Sequence, residues 1–100
     1  MATAQALNSP QEITQRLVSA LASVPGVQSI HYLETEMVFS VWVGISDDSP
    51  VARQAVYDFE DMISQVYQEI LFDFHVVPLR AGKRIEEFVS DTQAVFQRTA

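Results

Sequence analysis

The run "MVFSVWVGI", Met37 to Ile45, constrains this chain most. Side chains along an extended backbone point alternately to opposite sides. Met37, Phe39, Val41, Val43 and Ile45 would therefore form one wholly apolar face, and Val38, Ser40, Trp42 and Gly44 the other. The run is about half of the roughly 20 residues that a membrane-spanning helix needs. It reads as a strand with one side against a core, and no membrane partner is expected. "SDDSP" at 46–50 follows, with Asp48 or Ser49 as helix cap and Pro50 just inside. Ala52, Ala55, Val56, Phe59, Met62, Ile63, Val66 and Ile70 then recur at helical spacing, while Arg53, Asp58, Glu60, Asp61, Gln65 and Gln68 face water. The next apolar run, "FDFHVVPL" at 72–79, returns to strand character. A strand, a helix and a strand in one sheet form a right-handed crossover with parallel strands.

Upstream, "SPQE" at 9–12 marks another helix start, with Ser9 as cap and Glu12 completing a capping box. Ile13, Leu17, Ala20, Leu21 and Val24 follow at helical spacing until Pro25 and Gly26 stop the helix. Residues 1–8 read as a flexible polar tail and residues 9–100 as a single domain. Val27–Leu33 alternates as a strand, and "LETEM" at 33–37 is a short polar hairpin turn. "PLRAGKR" is a loop, after which Ile85, Phe88, Val89, Val95 and Phe96 suggest one or two terminal helices broken near Ser90–Asp91. The expected order is α-β-β-α-β-α. This is an α+β two-layer sandwich with a three-stranded mixed sheet and helices on one face, half of a ferredoxin-like arrangement.

A hydrophobic fraction of 48% suffices for a core. Thirteen acidic against six basic residues leave a net charge of −7. Such a surface repels phosphate backbones, so no nucleic-acid partner is expected. With no cysteine there is no thiolate metal site. Met1 to Asn8 shows neither a basic start nor an apolar stretch, which points to the cytoplasm. No Gly-x-Ser-x-Gly elbow, P-loop or Gly-x-Gly-x-x-Gly occurs, so the chain is not expected to be an enzyme.

Parity extends to the other strands. If Phe72, Phe74 and Val76 meet the helices, then Asp73, His75 and Val77 face away. Ser29, His31, Ser40 and Trp42 share that outer face. A tryptophan on an otherwise wet face invites a cover, so a homodimer or a protein partner is expected there. The same surface supports an alternative, a divalent metal such as zinc held by His31, His75 and Asp73. No HxH or HExxH pair accompanies these residues, and the plainer account is two half-exposed strand histidines beside Trp42. No other cofactor is expected. Arg80, Lys83 and Arg84 cluster half of the basic charge, an anion-site candidate if they open a helix and otherwise a solvated loop.

Two resemblances follow. "GVQSIHYLETEMVFSVWVGI" with "VARQAVYDFEDMISQVYQEILFDFHVVP", within residues 26–78, resembles the cytoplasmic C-terminal domain of cation diffusion facilitator transporters, through "IHYL" at 30–33 and "FHVVP" at 74–78. That resemblance implies metal held at a dimer-forming site, with His31 and His75 on ligand positions. Trp42 and Val77 stand where a histidine and an aspartate would be. "VWVGISDD" and "FDFHVVPLRAGKRIEEFV" are similar to nucleotidyltransferase-fold proteins. Here "LETE" replaces their Gly-Ser turn, Ser40 and Trp42 replace their aspartate pair, and only Asp73 or His75 stands for a third acid. This second resemblance implies an inactive relative without two-metal phosphoryl transfer.

Overall fold

The computed structural model describes the backbone of residues 2–36, 38–80, 83, 85 and 91–98, and side chains from Gln11 onward within that set. The elements are α1 (Ala2–Leu21), β1 (Val27–Glu34), β2 (Val38–Ser46), α2 (Pro50–Val66), β3 (Leu71–Leu79) and β4 (Gln93–Gln97). The order is therefore α-β-β-α-β-β, and the sheet has four strands in the order β3-β2-β1-β4. The expectation of three strands and a closing helix is corrected. Ile85 adopts 3₁₀ geometry, Phe88 and Val89 lie outside the described residues, and Val95 and Phe96 belong to a strand.

The correction has a local cause. β4 pairs antiparallel with β1, Ile30 opposite Phe96 and His31 opposite Ala94, so a bulge inserts Val95. Both Val95 and Phe96 then pack against the helix-side core. Two adjacent apolar residues break the period of two that would have announced a strand.

The start of α2 bears the mark of its cap, whereas the expected start of α1 at Ser9, with its capping box to Glu12, is corrected, since Ser9 and Pro10 lie inside a helix that already begins at Ala2. The Ala52 N–H donates to Ser49 Oγ at 3.2 Å, with Pro50 in the first turn. Gly26, at φ +97°, turns the chain into β1 where a Cβ would lie 2.8 Å from Ser49 Oγ. α1 begins at Ala2, so residues 2–8, expected as a tail, are helical, in keeping with the propensity of Ala2, Ala4, Ala6 and Leu7. α2 ends at Val66, short of Ile70. Its buried stripe is Ala52, Val56, Phe59 and Ile63, narrower than expected, since Met62 and Val66 are 40% and 50% exposed.

Both helices pack on one face. Ile13, Leu17 and Leu21 of α1 join the α2 stripe over Val27, Ile30, Phe39, Val41, Val43, Ile45 and Phe74. Tyr32 stacks on Phe39, and Phe59 tilts against Phe74. Full burial of each such side chain is worth about 1.5–3 kcal/mol. Arg98 secures the end of α1, donating to the Ala22 and Val27 carbonyls while lying over the Phe96 ring. No helix among the described residues is long and apolar enough to cross a membrane.

Tyr67 follows α2 and donates its hydroxyl to the Glu12 carboxylate at 2.9 Å, tying the two helices together. Burial first, then that hydrogen bond and the nearby negative charge, push its pKa above the ordinary 10. An acid whose folded pKa is raised contributes stability that is fully present below its unfolded pKa and is lost as pH rises through the folded value. Urea denaturation of wild type should therefore show a loss of stability above pH 10 that is smaller in Tyr67→Phe. An equal alkaline loss in both proteins would contradict this.

Candidate interaction face

The faces are set by β2, which pairs antiparallel with β1 and parallel with β3. Phe39, Val41 and Val43 stand level with Phe72, Phe74 and Val76 beneath the helices, as their parity predicts. The opposite, outer face aligns Ser40 with Asp73, Trp42 with His75, and Gly44 with Val77. Across the other ladder, Ser29 lies opposite Gly44 and His31 opposite Trp42. All seven residues expected on this face are on it.

They do not share one environment. Ser29 and His31 are each 3% exposed. His31 Nδ1 lies 3.1 Å from Thr92 Oγ1, just before β4. Leu79, at the end of β3, reaches across the outer face, where a Cβ on Gly44 would lie 2.5 Å from its Cδ1 and 2.7 Å from Ser29 Oγ. Leu79 and Ile85 are both buried yet outside the helix-side core. The half of the outer face over β1 is thus dry within a single chain. The expectation that His31 and Ser29 would be open to a partner is corrected by this cover. Glycine was the signal for it, since a strand glycine often marks a close approach.

The half over β2 and β3 is different. Trp42 is half-buried and stacks on the His75 ring, with centroids 5.2 Å apart and planes 12° from parallel. His75 Nε2 lies 2.9 Å from Asp73 Oδ2. Both side chains are exposed, at 44% and 57%. Leu71, two residues before Asp73 on the same side, is 67% exposed. Ser40 and Val77 are half-buried. An indole, an imidazole, a carboxylate and an isolated leucine thus form one strip.

The histidines do not converge. His31, Trp42 and His75 stand in one row across three strands, with the indole between the imidazoles. Two strand spacings put the histidine Cα atoms about 10 Å apart. A zinc ion needs ligand nitrogens at about 2 Å. No group of three or more His, Asp or Glu that could hold a metal occurs among the described residues. Arg80 and Lys83 are exposed, joined by a turn hydrogen bond from the Lys83 N–H to the Arg80 carbonyl at 2.9 Å, and Arg84 lies outside the described residues. Shallow depressions lie along α1, one lined by Thr14, Gln15, Val18, Ser19 and Val95, the other by Glu12, Gln15, Arg16 and Ser19. Neither meets the outer face.

Comparison with protein-family models, curated proteins and solved structures yields no match.

The dry half generates two predictions. Gly44→Ala should destabilise by about 1–3 kcal/mol in urea, the usual cost of overpacking a filled space. An unchanged midpoint would show that Leu79 and Ser29 yield freely. Among the described residues, Ser29 Oγ is buried with no hydrogen-bond partner. Removing such a hydroxyl relieves its desolvation cost, so Ser29→Ala should raise stability by up to about 1 kcal/mol. A clear loss would mean that the hydroxyl is satisfied in solution.

Proposed function

We propose that this chain is a non-catalytic interaction domain whose working surface is the outer face of β2 and β3, and that its partner is a protein, a second copy of the chain in the first place. One observation carries the reading. The only tryptophan of the chain lies on the face away from the helices, stacked on an exposed histidine that is itself joined to an exposed aspartate. Aromatic residues with a polar rim are the usual anchors of protein interfaces. The strip has a flat aromatic centre, charged groups beside it, and Leu71 at one end. Nothing in it resembles a nucleophile with its base, and its two close polar groups are engaged with each other.

Trp42 reports on this proposal directly. On dilution from about 100 μM to about 1 μM, the range of a weak to moderate interface, sedimentation should show dissociation. The tryptophan emission should change in parallel, because the His75 stacked on it leaves the contact. Trp42→Ala should weaken association about tenfold or more, because the indole also positions His75, with its thermal transition retained. A strict monomer at the upper concentration, or association that leaves emission unchanged and tolerates Trp42→Ala, would overturn the proposal.

A further inference from the structure

The geometry points to a specific mode of self-association, which rests on the interaction reading above: β3 pairs antiparallel with β3 of a second copy, about a two-fold axis at Phe74, to give one continuous sheet. Among the described residues β3 is an edge strand, laddered only to β2. An edge strand offers unpaired N–H and C=O groups to any strand that can reach them.

The direction of those groups follows from one hydrogen bond. The Asp47 N–H donates to the Leu79 carbonyl at 3.3 Å, so Leu79 turns its backbone toward β2. Residues two apart along a strand share that direction. Leu71, Asp73, His75 and Val77 thus bond inward to β2, and Phe72, Phe74, Val76 and Pro78 turn outward. Pro78 has no N–H to offer, and the outward side of an edge strand is where proline is tolerated. The usable outward ladder is therefore Phe72, Phe74 and Val76.

A two-fold axis at Phe74 uses all three. Phe74 pairs with the partner's Phe74, and Phe72 with the partner's Val76, each exchanging backbone hydrogen bonds. Asp73 then stands opposite the partner's His75, and His75 opposite the partner's Asp73, in the closely spaced non-hydrogen-bonded positions. Leu71, the most exposed apolar residue of the strand, meets the partner's Val77. The surface is complementary to itself, as an isologous contact must be. Three neighbouring registers fail. An axis at Asp73 sets two carboxylates together. An axis at His75 sets two imidazoles together and asks Pro78 for a donor. An axis at Val76 also relies on Pro78.

The helix layer agrees. Phe59, Met62 and Val66 recur at i, i+3 and i+7, one stripe of α2. Phe59 rests on Phe74, so the stripe lies on the β3 side. Met62 and Val66, 40% and 50% exposed, are thereby turned toward the second copy. Trp42, on the neighbouring strand, stacks on His75 and so positions the ring that meets the partner's Asp73.

Exchanging the two residues tests the register. By sedimentation at low ionic strength, His75→Asp opposes two carboxylates and Asp73→His removes the carboxylate that pairs with the partner's imidazole, and each should weaken the dimer about tenfold or more, whereas the double variant restores the pairing and should return within about threefold of wild type. Val76→Pro removes an outward donor that the monomer does not use, and should abolish the dimer with circular dichroism retained. Recovery in the double variant supports the axis at Phe74. A dimer indifferent to the single changes and to Val76→Pro overturns edge pairing while leaving the interaction reading standing. A wild type that remains monomeric at about 100 μM overturns both.

Discussion

The two ladders of β2 are the constraint on which the rest depends. Only β2 has strands on both sides that set opposite chain directions, antiparallel β1 and parallel β3. A one-residue slip in either ladder would exchange the faces of that strand. With both registers held, Phe39, Val41, Val43 and Ile45 fill the space under the helices. The row His31, Trp42, His75 is then placed on the opposite side without any further choice. The chemistry of the outer face is a consequence of how the core is packed.

That outer face is divided at Gly44. The missing side chain lets Leu79 and Ser29 close over the strand. The space that allows this exists at one position only, and Trp42, the next outward residue along β2, already fills its own surroundings by stacking on His75. The cover therefore closes the Ser29–Gly44 end of the face, with Thr92 beside His31, and leaves Trp42, His75 and Asp73 accessible. One sheet face serves as a second, minor core in one half and as an accessible surface in the other. His31 and His75, which look equivalent in the sequence, have different environments for this reason.

The legible parts of the fold were those with an uninterrupted period. The β2 alternation from Val38 onward, the Ser49–Pro50 start, the crossover to β3 and the hairpin that joins β1 to β2 are all local patterns, and all are present, while Met37 lies outside the described residues. The parity of the candidate face was equally legible, because it needs only the core side of each strand. What failed was long-range or irregular. β4 was hidden by the bulge at Val95, and it is recognisable only from its ladder with β1, about sixty residues away in sequence. The burial of Ser29 and His31 depends on Leu79 and Thr92, distant in sequence, and periodicity carries no information about such contacts. The stripe of α2 was drawn too wide because Met62 and Val66 are apolar, and apolar residues need not be inside.

Exposed edges are a hazard, and the two edges of this sheet meet it unequally. β4 has five residues, begins and ends in glutamine, and carries a bulge that interrupts its ladder. Short length, polar ends and bulging are all means of discouraging another strand. β3 has nine residues in unbroken register with β2. Its one blunting device, Pro78, lies near the end and spares the centre. It carries a carboxylate at position 73 and an imidazole at 75, a hydrogen-bonding pair that suits an antiparallel copy of itself. In a chain of net charge −7, most approaches between two molecules are repulsive. A local alternation of aspartate and histidine on the open edge offsets that repulsion in one orientation. The asymmetry between the edges thus favours β3 for the proposed pairing, and the order of Asp73 and His75 favours its register.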